Sequence, residues 1–281
     1  MREFKHLKTK KGRDETGLFI IEGEKFVTEI PHDWVILRII TAQRFNRDLS
    51  PYKNRAPVEV VRDSLFDSLA NTVTPQGIMA VVKQKRWQIN QLLSPEGFIL
   101  IGENLNDPGN IGTLIRTAAA AGAAGVILGK GSGDIYNPKV LRAAAGAALR
   151  LPVVTDVDLP ETIGILKQAG YAIYAADLKG DALPYSLDLR GAFCWLIGNE
   201  AHGLTTEASA QADALVRLPM ARDMESLNAS IAGGILLYEA LRQRLPTSPA
   251  DTVAYVHNSQ FVHNPRPLGK EINFRLPSFR P

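Results

Sequence analysis

Apolar residues in this chain fall into short unbroken runs separated by polar, glycine or proline punctuation. Leu18-Phe19-Ile20-Ile21, opened by Gly17 and closed by Gly23, predicts a buried strand. Residues 35–40, 58–61 and 77–82 carry the same signature. Between the last two, Asp63 reads as an N-cap opening an amphipathic turn through Leu69. A polar, charged stretch over 83–90 then changes the texture and reads as a connecting element.

From Phe98 onward the pattern alternates. Runs at 98–101, 125–128, 153–154, 171–176, 193–197 and 215–218 predict strands. Segments at 110–121, 138–149, 160–169 and 229–244 predict helices, the second with Asn137 as cap and Pro138 at its first position. Strands alternating with helices predict an α/β fold, its mostly parallel sheet covered on both faces. The last helix takes Ser226 as its cap, with an apolar core face from Ile231, Ile235, Leu236 and Leu241. Free N–H groups at that cap would suit an anion or a nucleotide. Beyond Leu245 the chain is proline-rich and aperiodic and reads as a tail.

Composition narrows the class. A chain of 281 residues, 45% of them hydrophobic, can bury a substantial core in one large domain or two ordinary ones. A net charge of +3 is compatible with a polyanionic partner without demanding one. Cys194 is the sole cysteine, so an intramolecular disulfide and cysteine-built metal clusters are excluded. No H-E-x-x-H motif or histidine cluster suggests a metal; His32 and His202 stand alone. The basic head from Arg2 to Arg13 has no apolar core behind it, which predicts no secretory signal. That head would either contact phosphates or fray in solvent. Arg116 and Glu239 interrupt the best candidates for a membrane span, so a soluble cytoplasmic protein is expected.

Three blocks carry the chemistry. In the first, Asp107-Pro108-Gly109 turns after a strand, Asn110 stands at a helix start, and Arg116 follows. Both side chains can project near the carboxyl end of the sheet, where α/β proteins place ligands. Taken locally, Asn110 is also a good helix cap and Arg116 a solvated cation. In the second, Ile197-Gly198-Asn199-Glu200 leaves a strand, and a glycine there lets backbone approach a ligand closely. In the third, a strand stops at Pro219 and Ser226-Leu227-Asn228 opens the closing helix. A competing loop, Gly129-Lys130-Gly131-Ser132-Gly133, fails the dinucleotide fingerprint because Asp134 stands where glycine is needed.

Together and in this order, the blocks resemble the motifs of the SpoU (TrmH-type) RNA ribose 2′-O-methyltransferases of the SPOUT superfamily. The likeness covers about 98–244. The segments 17–23 and 74–78 resemble the ribosomal-protein-like α/β domain that binds RNA in many such enzymes. The resemblance implies an RNA-binding domain over 1–84, a linker over 85–96, a catalytic domain over 97–245 and a tail over 246–281. It implies a deep C-terminal trefoil knot, a rare exception to the rule against knots. It also implies S-adenosylmethionine held largely by main-chain groups of Gly198, Leu218 and Leu227, with Ile197, Met220 and Ser226 beside them. Arg116 would act at the reacting hydroxyl, either as a base or as a fixed positive charge. Asn110, Glu200, Ser226 and Asn228 would orient it, the ribose and the loops. A homodimer is implied, with ribosomal RNA favoured over transfer RNA because of the N-terminal domain. Ala201 and Arg222 depart from the glycines common at those positions. On Arg222 rests the alternative of a non-catalytic RNA-binding or assembly factor.

Overall fold

Two sheets organise residues 2–221 and 226–246, the residues described by the computed structural model. The first sheet holds β1 (Leu18–Glu22), β2 (Ile36–Ala42), β3 (Val58–Val61) and β4 (Ile78–Lys83), in the order β1-β4-β2-β3. β4 is antiparallel to β1 and β2, and β3 lies parallel to β2. Five short helices accompany it: α1 (Arg2–Leu7), α2 (Lys10–Thr16), α3 (Glu24–Thr28), α4 (Ser50–Lys53) and α5 (Asp63–Leu69).

The second sheet is wholly parallel. It holds β5 (Phe98–Gly102), β6 (Gly125–Gly129), β7 (Val153–Val157), β8 (Ala172–Ala176), β9 (Phe193–Ile197) and β10 (Ala214–Val216). The strand order is β10-β8-β9-β5-β6-β7. Its helices are α6 (Pro108–Ala121), α7 (Pro138–Ala144), α8 (Leu159–Gln168), α9 (Thr206–Ala210) and α10 (Ala229–Arg244). The unbroken apolar runs follow from cover on both faces. Phe98 and Leu100 point into one core with residues of α6, α7 and α10. Ile99 and Ile101 point into another with residues of α8 and α9.

The first core does not stop at the second sheet. Phe19, Ile21, Trp34 and Ile39 of the N-terminal part belong to it as well. Trp34 Nε1 donates to the Leu149 carbonyl at 2.9 Å. Tyr136 stacks against Phe19, ring centres 4.4 Å apart, and its hydroxyl donates to Lys85 O at 2.7 Å and accepts from Lys85 N at 3.0 Å. The polar stretch after β4 is therefore packed: Leu92 is buried, and Ser94 N donates to the Tyr171 hydroxyl.

Several local expectations change. The basic head forms α1 and α2, with Phe4 and Leu7 buried and Thr9 capping α2. Arg13 is only 3% exposed and pairs with Asp134 at 2.6 Å, so it is withdrawn from any phosphate. Asp63 is not a cap; Arg62 precedes α5, and Asp63 accepts from Arg44 N. The helix expected over 138–149 breaks at Ala145 and Gly146, both at positive φ, before a single tight turn. β10 ends at Val216, short of the expected 218.

The largest correction falls on α10. Its core side is Ala229, Gly233, Leu236, Leu237 and Ala240. A Cβ on Gly233 would lie 2.4 Å from Leu114 Cδ2 and 2.7 Å from Ile197 Cδ1, so a larger residue there would push both side chains aside. Ile231 and Ile235, expected in the core, are 56% and 39% exposed, and Tyr238 shares their side. Arg222 and the residues beyond Pro246 lie outside the described residues.

Candidate functional site

Because the second sheet is parallel, the loops after β5, β9 and β10 leave from the same edge, the usual ligand side of such sheets. The first two are laced together. Glu103 N donates to the Ile197 carbonyl at 2.8 Å, and the Glu103 carboxylate accepts from Thr205 N and Oγ1 at 2.8 and 2.7 Å. Asn199 Nδ2 donates to Asn104 O at 2.8 Å, while Asn199 Oδ1 accepts from Ala201 N and His202 N. Asn199 and Gly203 exchange main-chain hydrogen bonds at 3.0 and 2.9 Å. Gly198 needs no side chain for this reason: an added Cβ would sit 2.3 Å from the Gly203 carbonyl carbon. The close approach expected at Gly198 is thus made first by the chain's own loop.

The glycine loop after β6 serves the same edge. Gly133 N donates to Leu105 O at 2.8 Å, and Leu105 N donates to Ser132 Oγ at 3.2 Å. It buttresses the turn before α6.

α6 opens at Pro108 with Asp107 as its cap, the Asp107 carboxylate accepting from Asn110 N at 2.7 Å. The Asn110 side chain is therefore released from capping. It is 8% exposed, and its Nδ2 donates to Glu200 Oε1 at 3.0 Å. Its Oδ1 accepts from Asn228 Nδ2, also at 3.0 Å. Asn228 Oδ1 in turn accepts from Ser230 N, Ser230 Oγ and Ile231 N, which makes Asn228 the cap of α10 in place of Ser226. The Ser230 and Ile231 N–H groups at the start of α10 are thus committed to Asn228. Three residues from three blocks form one relay, Glu200–Asn110–Asn228, joining the loop after β9, α6 and the start of α10.

Arg116 and Ser226 are not part of that relay. Arg116 is exposed, roughly 120° around the α6 axis from Asn110. Among the described residues no acid pairs with it. Ser226 is exposed too. Asp107, Glu103 and Asn199 hold the loops in place; Asp107, read from sequence as part of a turn, is the α6 cap, and Asp followed by Pro at a helix start is the signal for it.

Could these loops hold S-adenosylmethionine? Ile197 is buried at the end of β9, Leu218 and Met220 are half-buried, and Leu227 is exposed. Among the described residues, the N–H groups of Gly198, Leu218, Met220 and Leu227 donate to no main-chain carbonyl. Uncommitted amides on loops between apolar side chains suit a nucleoside ligand gripped through the backbone. Among the described residues, no group of three or more His, Cys, Asp or Glu is placed to hold a metal ion.

Known proteins share this architecture. The profile of the SpoU rRNA Methylase family matches residues 97–238, and that of the MRM3-like substrate binding domain matches residues 1–80. The 23S rRNA (guanosine(2553)-2'-O)-methyltransferase RlmP of Bacillus subtilis is 33% identical over 238 residues, covering 85% of this chain and 94% of that protein. The AdoMet-bound rRNA methyltransferase from Sinorhizobium meliloti superposes with a TM-score of 0.80 at 30% identity, over 87% of this chain and 95% of that one. The SpoU methyltransferase AviRb from Streptomyces viridochromogenes, in complex with AdoMet, gives 0.79 at 26% identity over 86% and 96%. With both profiles in chain order and a relative this similar over most of its length, the chain belongs to the SpoU rRNA methylase family.

Proposed function

We propose that this chain transfers a methyl group from S-adenosylmethionine to a ribose 2′-hydroxyl of large-subunit ribosomal RNA. The observation that carries the reading is the Glu200–Asn110–Asn228 relay beside uncommitted amides at the carboxyl edge of a parallel sheet. Relatives that act on 23S rRNA support the choice of RNA. S-adenosylmethionine supplies an electrophilic methyl on a sulfonium. The amides of Gly198, Leu218, Met220 and Leu227 hold its nucleoside part, with Ile197 and Ser226 alongside. Arg116 acts at the reacting hydroxyl as a fixed positive charge. Its guanidinium pairs with an RNA phosphate and stabilises the alkoxide that develops as the hydroxyl proton leaves to that phosphate or to water. Asn110, Glu200 and Asn228 hold the three loops in register, so that oxygen, methyl carbon and sulfur line up.

The same reading takes in the whole chain. Residues 1–84 bind RNA, 85–96 connect and 97–245 catalyse. The insertion of β9 between β5 and β8 supports a trefoil knot closed by α10. Ile231, Ile235 and Tyr238 form a bare stripe along α10, which supports a twofold homodimer through that helix. No helix among the described residues is long and apolar enough to cross a membrane, in keeping with work on ribosomal RNA in the cytoplasm. The test is transfer of tritiated methyl to 23S rRNA, followed by mapping of 2′-O-methyl positions. One discrete site in the presence of wild-type protein is expected. Transfer to tRNA alone would replace the substrate, and no transfer to either RNA would end the reading.

A further inference from the structure

A second site lies away from the loops. Where β1 and α3 face α7, a small cleft opens to solvent between the first sheet and α7. Its walls are mostly apolar, among them Ile21, Leu141 and Leu149. Besides the Glu22 carboxylate, which is taken up by Asn71 N and Thr72, three groups at the cleft are unlike the rest. The Arg142 guanidinium, on α7, is exposed and has no acid partner among the described residues. The Asn71 side-chain amide makes no hydrogen bond among the described residues. Asn71 N instead donates to Glu22 Oε2 at 2.7 Å, and the Thr72 hydroxyl donates to the same carboxylate, which fixes the backbone that presents the amide. The third group is the Phe26 ring, half-exposed on α3.

We infer that this cleft receives one unstacked nucleotide of the substrate RNA, outside the nucleotide that is methylated. The parts match what single-stranded RNA offers. A base needs an aromatic or apolar face, here Phe26 and Leu141, and an amide for its edge, here Asn71. The phosphate needs an unpaired fork donor, here Arg142. Arg150, whose partner Glu29 lies beside Gly146 of the cleft, is already engaged at 3.1 Å. The cleft joins the sheet of the N-terminal part to α7, and α7 lies against α6 at Gly112, where a Cβ would meet the Val140 carbonyl. RNA seated there is held by both parts of the chain at once. The choice of RNA as ligand rests on the function proposed above.

The test measures direct binding of 23S rRNA to full-length protein by filter retention, with methyl transfer recorded alongside. Arg142→Gln and Asn71→Ala are each expected to weaken RNA binding by about five- to tenfold, the size of one lost nucleotide contact. S-adenosylmethionine affinity should be unchanged. For Arg142→Gln the slope of log affinity against log salt should become shallower by about one, the mark of a lost phosphate; for Asn71→Ala it should not change. RNA affinity and salt slope equal to wild type in both variants would overturn the cleft. The two failures separate cleanly: absent methyl transfer by wild type sinks the proposed reaction, while the binding arm still decides whether the cleft holds RNA.

Discussion

Two polar clusters in this molecule are built on opposite terms. One docks the N-terminal part against the second sheet. In it Asp134 Oδ2 accepts from Arg13 Nε at 2.7 Å, Asp134 Oδ1 accepts from Tyr136 N at 2.8 Å, and Arg13 also donates to Leu7 O. Arg13 and Asp134 side chains are 3% and 9% exposed, and these hydrogen bonds answer the charge on each. The other cluster joins two amides and one exposed carboxylate end to end, on loops whose main-chain amides at Gly198 and Leu227 donate to no carbonyl among the described residues. The first is closed and leaves nothing for a ligand. The second is held in place by its own hydrogen bonds and leaves amides of the neighbouring loops uncommitted among the described residues. A buried pair is a weak net stabiliser while intact and a costly one to break, whereas a preorganised open site holds its donors ready for charge that appears during reaction.

That contrast can be broken by mutation at either end. Asp134→Ala should destabilise the fold by about 3–5 kcal/mol, since it leaves a buried guanidinium unpaired. Urea unfolding checks this, and a wild-type midpoint would show the docking cluster to be dispensable. Arg116→Ala should do the reverse: kcat falls by about 10²- to 10³-fold, as for loss of one charge-stabilising donor, while the unfolding midpoint stays put. Unchanged turnover would remove Arg116 from the reaction.

pH addresses the docking cluster again. Burial pushes the Tyr136 hydroxyl up from its usual 10 to about 12, even though its contact with Lys85 opposes the shift. The fold holds the neutral phenol, so the stability it contributes is whole below pH 10. That contribution, about 3 kcal/mol, is lost as pH rises from 10 to about 12. Tyr136→Phe should flatten that part of the stability profile, and an identical profile would assign the loss to other groups. The smallest effect is expected at the relay. Asn110→Ala leaves Asp107 and Asn228 as caps but unties Glu200, so kcat/KM should fall by about ten- to a hundredfold, the loss of 1–3 kcal/mol in hydrogen bonding. S-adenosylmethionine affinity measured by calorimetry should hardly change; a fold defect would lower both.

Legibility differed by kind of feature. β9 was readable to its ends, because Phe193 to Ile197 is an unbroken apolar run between a polar turn and a glycine. The alternation of strands and helices was readable for the same reason. α10 was readable as a helix but not as an oriented one. It carries apolar residues on two sides, and only packing shows that Leu236 and Leu237 face inward while Ile231 and Ile235 do not. Asn110 looked like a cap because asparagine is a good one; Asp107, three residues earlier, took that role and freed it. The short helices α1 and α2 lacked periodicity of their own and are held by burying Phe4 and Leu7 under the first sheet.

Local chemistry, then, settled which segments become strands and which become helices. Pattern and propensity act over a few residues, and that information lies in adjacent letters. What the fold alone decided was pairing at a distance. Asn110 meets partners 90 and 118 positions further along the chain, and Arg13 meets Asp134 across 121. Those contacts depend on how the sheet is ordered and which helix face is covered, and both are set by burial summed over the whole molecule.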